Sequence, residues 1–284
     1  MPPDDDKDDE VQGPARPEGG GAAAVRRGLM AGKRALITGV ANDRSIAWAI
    51  AQRFRAEGAE LAFTYQGEVM EKRVRPLVSS SAEAIIDCDV SRDEDIERAA
   101  SEVKQIWDRL DVLVHSIAFA PREALEGRFV AATSRDAWRL ALEVSAYSLV
   151  GLARALRPLM VPGSAILTLT YYGAEKVVTH YNVMGVAKAA LECTVRYMAH
   201  DLGEDGIRVN AISAGPLRTL AASGIRGMRS MLAENAARTP LRRNIAQEDV
   251  GDAALYLCSD LARNVTGEIL HVDAGQSIVG VVST

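Results

Sequence analysis

The chain has 284 residues, 48% of them hydrophobic and 25% charged, which suits one large α/β domain with a sizeable core. Three cysteines, Cys88, Cys193 and Cys258, stand far apart without CxxC spacing, which speaks against a disulfide framework or a zinc site and for a reducing cytoplasm. No apolar run approaches the roughly 20 residues that span a bilayer, the N-terminal stretch lacks the apolar segment of a signal peptide, and a net charge of -5 argues mildly against general nucleic-acid binding.

Residues 1–30 combine an acidic block with Pro and Gly and show no apolar periodicity, the composition of a disordered tail. The folded domain, 31–284, is therefore expected to begin near Gly32. From there, apolar runs of strand length alternate with stretches of helical periodicity. The expected fold is α/β: a single Rossmann-type, doubly wound parallel sheet of about seven strands with helices on both faces. The strands are expected at Arg34 to Thr38, Glu60 to Tyr65, Ala84 to Cys88, Val112 to Ser116, Ala165 to Thr170, Arg208 to Ile212 and Ile269 to Val272. Between the first two, Ile46, Ala49, Ile50 and Phe54 mark the buried stripe of a helix that Ser45 can cap and Gly58 can stop.

Ligands of such a sheet bind beyond the carboxyl ends of the strands. The notable residues follow the strands in turn: Gly39, Gln66, Asp89, Ser116, Tyr171 and Gly215. Residues 38–47, TGVANDRSIA, join a buried strand to an amphipathic helix, where backbone amides and the helix N-terminus attract a pyrophosphate. The G-x-G-x-x-G pattern is missing, and the loop alone leaves open that Gly39 only makes a tight turn and Ser45 only caps the helix. Gln66 ends the second strand, where an acidic residue usually takes the adenosine ribose hydroxyls. A neutral amide serves as well. No Lys or Arg follows directly, and Glu68 would meet a 2′-phosphate, so NADH is expected over NADPH. Asp89 reads equally as a turn residue or as an adenine contact.

The stretches TGVANDRSIA, LAFTYQ, CDV, HSIAFAP, LTYYGAEKVVTHYNVMGVAK (residues 169–188) and RVNAISAGPLRTLAASGI resemble bacterial enoyl-acyl carrier protein reductases, a divergent branch of the short-chain dehydrogenase superfamily. The resemblance runs from about Gly32 to about Ile278. It implies reduction of the trans-2 double bond of an enoyl thioester with NADH in fatty acid elongation. It also implies Tyr181 and Lys188 as the reacting pair, separated by seven residues instead of the four of ordinary short-chain dehydrogenases. An ordinary ketoreductase would place its tyrosine at Met184 and its catalytic asparagine at Ser145, so carbonyl reduction is the nearest rival and the spacing disfavours it. A nucleotide-binding regulator without turnover is a second rival, disfavoured by the presence of both Tyr181 and Lys188.

Seven residues are about two helical turns, which would set Tyr181 and Lys188 on one helix face. Hydride addition at C3 develops an enolate on the thioester oxygen; the Tyr181 hydroxyl would stabilise it, and Lys188 would hold the nicotinamide ribose. Tyr171 matches the family's second active-site tyrosine. By the same resemblance Gly39, Ser45, Ile46, Gln66, Asp89, Val90, Ser116, Ile117, Lys188, Leu217, Arg218, Thr219, Leu220 and Ala221 contact the cofactor, and Ala120, Tyr171 and Tyr181 the substrate. His115, His180, His200 and His271 lack ligand spacing, and no metal is expected. Residues 217–239 are expected to form a substrate flap, with Ile225, Met228, Met231 and Leu232 along an acyl channel, the alternative being an ordinary surface helix with a core stripe. Arg226 and Arg229 are expected to meet the acidic acyl carrier protein there, the alternative being that both are only solvated surface charges. A cytoplasmic homotetramer completes what the family implies.

Overall fold

The structure, a computed structural model, describes residues 28–219 and 228–280. Seven strands form one parallel sheet: β1 (Arg34–Ile37), β2 (Glu60–Tyr65), β3 (Ala82–Asp87), β4 (Leu110–His115), β5 (Met160–Thr170), β6 (Arg208–Ala214) and β7 (Ile269–Val272). Their order is β3-β2-β1-β4-β5-β6-β7, so the chain winds outward in both directions from the boundary between β1 and β4. That boundary is the topological switch point, where the loops diverge and leave a crevice.

The helices are α1 (Ile46–Ala56), α2 (Gly67–Val78), α3 (Asp93–Ile106), the short α4 (Arg122–Leu125) and α5 (Phe129–Ala132), α6 (Arg135–Leu142), α7 (Ser148–Leu156), α8 (Asn182–Gly203), α9 (Met228–Arg238) and α10 (Gln247–Cys258). Alternation along the strands divides the core between the two sheet faces. Ala35 and Ile37 of β1 join Val112 and Val114 of β4 under α1, α2 and α10. Leu36 and Leu113 point the other way, into a core shared with α3, α7 and α8. A third, smaller cluster packs Ala124 of α4 and Ala137 and Ala141 of α6 against Val183, Met184 and Ala187 at the start of α8.

Two local expectations change. Met30, assigned above to the tail, is wholly buried, and its amide donates to the Glu57 carbonyl at 3.1 Å, so residues 28–30 belong to the packed domain. Ser45 occupies the N-cap position of α1 without making the side-chain cap bond. Its Oγ turns back and accepts from the amides of Ala41 and Asn42, each at 3.0 Å, which ties the preceding loop into a tight bend. Gly58 stops α1 as expected, with φ of 91°.

Candidate active site

The crevice between β1 and β4 is closed at its base by backbone. Gly39 has φ of 81°, and a Cβ there would stand 1.9 Å from the Ser116 carbonyl oxygen, so the loop after β1 lies directly on the loop after β4. The Thr38 hydroxyl adds to the joint: it donates to the Val114 carbonyl at 3.1 Å and accepts from the Ser116 amide at 3.2 Å. A cradle with room for backbone alone could hold a pyrophosphate, and the first-turn amides of α1 beside it carry no side-chain cap. Ile46 is partly exposed at that helix start.

Across the edge of the crevice, exposed Gln66 precedes α2 and lies within hydrogen-bonding reach of Asp89. Burial pushes the Asp89 carboxyl up, but donors outweigh it and hold it below the ordinary carboxylate range. They are the Ser91 hydroxyl at 2.7 Å, the Ser91 amide at 2.9 Å, and Gln66. Asp89 is thus an anion beside Gln66, with Val90 buried behind it. These groups suit neutral ribose hydroxyls and an adenine ring better than a second phosphate.

On the other side of the switch point, β5 ends at Thr170, and eleven residues, with a short 3-10 turn at Tyr172–Ala174, lead to α8. Tyr181 occupies the N-cap position of α8, between His180 with φ of 63° and Asn182 with φ of 40°, two non-glycine residues in the left-handed region. Such strain persists where surrounding contacts over-determine it. Those contacts are visible around Tyr181: its ring meets Tyr171 edge-on at a centroid distance of 5.1 Å, and Gly173 presents no side chain to its face. Burial, with Tyr171 and Glu192 nearby, pushes the Tyr181 phenol well above the ordinary tyrosine value. It is a protonated hydrogen-bond donor at neutral pH. Tyr171 is raised by burial too, against a hydrogen bond from Gln276.

Lys188, only 6% exposed, reaches from α8 to donate to the Leu169 carbonyl at 2.7 Å. Burial draws its ammonium down to about 8, with Glu192 opposing the fall. His115, at the end of β4, is fully buried between the Thr168 and Ser148 hydroxyls, each at 2.8 Å. Desolvation and the nearby Lys188 hold its pKa near about 3, so it is a neutral spacer beneath the lysine.

The loop after β4 carries Ile117 and Ala120 over the same end of the sheet. Ser145 pins it from below: its hydroxyl accepts from the Phe119 amide at 3.0 Å and donates to the Phe119 carbonyl at 3.2 Å. Ser145 lies in a π-helical turn, Glu143–Tyr147, inserted between α6 and α7. Such turns recur at functional sites. Ala120 and Tyr181 pack on the same apolar cluster as Met184, which puts the expected substrate contact next to the expected donor.

A family model described as Enoyl-(Acyl carrier protein) reductase matches residues 39–277. The chain belongs to the enoyl-(acyl carrier protein) reductase family. It is 54% identical over 256 residues to the NADH enoyl-(acyl-carrier-protein) reductase of Aquifex aeolicus, across 89% of this chain and 94% of that one. The crystal structure of the Aquifex protein superposes with a TM-score of 0.87 at 53% identity, covering 90% of this chain and all of that one. The Anaplasma phagocytophilum reductase, solved in complex with NAD, gives a TM-score of 0.85 at 49% identity over 90% of this chain and 95% of its own. The Bacillus cereus reductase, solved with NADP+ and indole naphthyridinone, gives 0.87 at 50% identity over 89% and 100%.

In this reductase the expected site residues gather at one end of the sheet, with exceptions in the segment after β6. Leu217 is buried, Arg218 is exposed with its carbonyl accepting from Gln247 at 3.4 Å, and the Thr219 amide donates to the Leu217 carbonyl at 3.0 Å. Leu220, Ala221, Ile225 and Arg226 lie outside the described residues, as do the side chains of Met228, Arg229 and Met231. The end of the expected flap is held to the body. Leu232 is buried, its carbonyl accepts from Asn244 at 2.9 Å, and Asn235 donates to Asn244 at 2.9 Å. Sequence reasoning passed over Gly173 and Glu192. The first carries no pattern of its own, whereas a charge at the fourth residue after Lys188, between apolar Leu191 and Val195, was a readable signal.

Proposed function

We propose that Tyr181, Lys188 and Tyr171 carry out the reaction of an NADH-dependent enoyl-acyl carrier protein reductase, acting on trans-2-enoyl thioesters in fatty acid elongation. The observation that carries this reading is the placement of Tyr181, a phenol at the mouth of α8 held edge-on by Tyr171 and seven residues ahead of buried Lys188. When bound, the reduced nicotinamide supplies a hydride to C3 of the enoyl group. Gly39 and the start of α1 would hold the pyrophosphate, Gln66 and Asp89 the adenosine end, and Lys188 the nicotinamide ribose. The thioester oxygen gains negative charge as C3 is reduced, and the Tyr181 hydroxyl donates a hydrogen bond to it. C2 then takes a proton, from Tyr181 or from water relayed through it. Tyr171, edge-on to Tyr181, fixes the ring that donates.

Ser145 supports enoyl over carbonyl reduction, because both its hydrogen-bonding capacities are committed to the Phe119 backbone and no asparagine stands in its place. The proposal extends to a cytoplasmic homotetramer and to docking of the carrier protein beside residues 217–239, with Arg226 and Arg229 facing it. Among the described residues no helix is long and apolar enough to cross a membrane.

The test compares NADH oxidation on a crotonyl thioester and an acetoacetyl thioester, in wild type and Tyr181→Phe. Crotonyl turnover should dominate, and the loss of one donor to the enolate, worth about 3 kcal/mol, should lower it roughly a hundredfold while NADH still binds. Preferential turnover of the acetoacetyl thioester would reject the reading.

A further inference from the structure

Glu192 is a buried carboxylate that the reaction as described leaves unused. It follows Lys188 by four residues, so the two share a face of α8, next to Leu191 and Val195 of the core. Removing a carboxylate from water is costly unless a partner compensates it. Its partner is on β5: the Thr170 hydroxyl donates to Glu192 Oε1 at 2.7 Å. Thr170 stands between Leu169, whose carbonyl receives Lys188 Nζ, and Tyr171, whose ring meets Tyr181. Three consecutive residues, the last two of β5 and the one after it, therefore engage Lys188, Glu192 and Tyr181 in turn.

We propose that Glu192 is a positioning residue that keeps the positive charge on Lys188, and that Thr170 aims its carboxylate for that purpose. The inference rests on the assignment of Lys188 to the cofactor ribose made above.

The surroundings of the lysine single out Glu192. His115 on β4 is neutral, and the phenols of Tyr171 and Tyr181 stay protonated. Glu175, in the turn after β5, is paired with His271 of β7 at 2.8 Å. Arg196, further along α8, is exposed. Burial pushes the Glu192 carboxyl up, the Thr170 hydrogen bond draws it down, Glu175 raises it and His271 and Arg196 lower it. Of these groups Glu192 is the one that offsets the desolvation of Lys188. At an effective dielectric of about 20, a carboxylate and an ammonium at the general spacing of i,i+4 helix neighbours, about 6 Å, shift one another's titration by roughly one to two pH units.

The experiment follows the Lys188 ammonium by NMR in full-length protein labelled on lysine side-chain nitrogen, without cofactor, with Lys188→Met assigning the resonance. Glu192→Gln keeps an acceptor for Thr170 but removes the charge, and it should lower the Lys188 midpoint by roughly one unit or more. An unchanged midpoint in a folded variant overturns the proposal. Wild-type protein provides a check that needs no variant: the Lys188 resonance should show a second inflection where the Glu192 carboxyl, followed on its labelled carbon, takes up its proton, and the absence of that inflection also overturns it. NADH affinity, read by fluorescence over the same pH range, separates the inference from its premise. A lowered midpoint with NADH weakening at correspondingly lower pH supports both, whereas a lowered midpoint with unaltered NADH affinity upholds the role of Glu192 and removes Lys188 from the cofactor site.

Discussion

Replacing Gly173 by alanine adds one methyl group to the turn between β5 and α8, and the structure states what that methyl meets. Its Cβ would lie 2.4 Å from Tyr181 Cδ1, 2.7 Å from Cε1 and 3.3 Å from Tyr171 Cδ1. Gly173 does not occupy the left-handed region, so the backbone accepts alanine and the conflict falls on the rings. Carbon atoms rest about 3.5 to 4.0 Å apart, so the Tyr181 ring must retreat by about 1 Å. Lys188 is anchored separately, by the Leu169 carbonyl, and should stay. A reacting group displaced by about 1 Å forfeits about a hundredfold in rate. Gly173→Ala should therefore reduce kcat on a crotonyl thioester to about the level of Tyr181→Phe while NADH binding, followed by fluorescence, is retained. Overpacking of this kind costs about 1 to 3 kcal/mol, and the melting temperature should drop by a few degrees. The double variant is the sharper measurement: once the phenol is gone its displacement no longer matters, so Gly173→Ala should add little to Tyr181→Phe. Multiplicative losses, or a wild-type kcat in Gly173→Ala, would refute the idea that catalysis depends on where this ring sits.

Lys188 titrates at about 8 in the folded protein against an ordinary value of 10.5, so NADH affinity should decline as pH rises through about 8. Because the folded state binds fewer protons than the unfolded state between those values, this same group makes stability rise with pH there; NADH titrations and denaturant melts across the window should trend in opposite directions, and in Lys188→Met both trends should flatten. NADH should be preferred over NADPH, and Gln66→Arg should narrow the preference by giving a 2′-phosphate a bidentate partner beside the Asp89 anion; equal specificity constants in wild type would contradict this. Removing residues 1–27 should leave the melting temperature unchanged, whereas removing 1–30 takes away a wholly buried methionine, worth about 1.5 to 3 kcal/mol, and should lower it by roughly 5 °C.

The sheet was readable because burial on both faces forces near-continuous apolar runs. Strands β2 and β7 fall where expected, and the others differ by a few residues at their ends, where β5 begins earlier at Met160 and β6 runs on to Ala214. Tyr181 and Lys188 came forward through the family resemblance, and the structure sets them seven residues apart, at the N-cap and within α8. What escaped depends on pairs of residues far apart in the chain. Nothing near Met30 announces that Glu57 receives its amide, and nothing near Ser145 announces Phe119. Ser45 stood at a cap position, yet its hydroxyl chose the two loop amides over the helix, a competition that local sequence leaves undecided. The π-helical turn at Glu143–Tyr147 likewise follows from packing and not from any periodicity.

The contact between Gly39 and the Ser116 carbonyl makes the depth of the crevice a main-chain dimension. On the proposed assignment, a side-chain library at Ala120 would reshape the acyl side of the crevice and leave the contact between the two loops as it is, since Gly39 meets Ser116 main chain to main chain. Ser145, clasping Phe119 through both amide and carbonyl, denies that loop the slack to absorb an inserted residue. On that assignment acyl selectivity would yield to substitution, whereas the separation of the two loops yields only to a change in loop length.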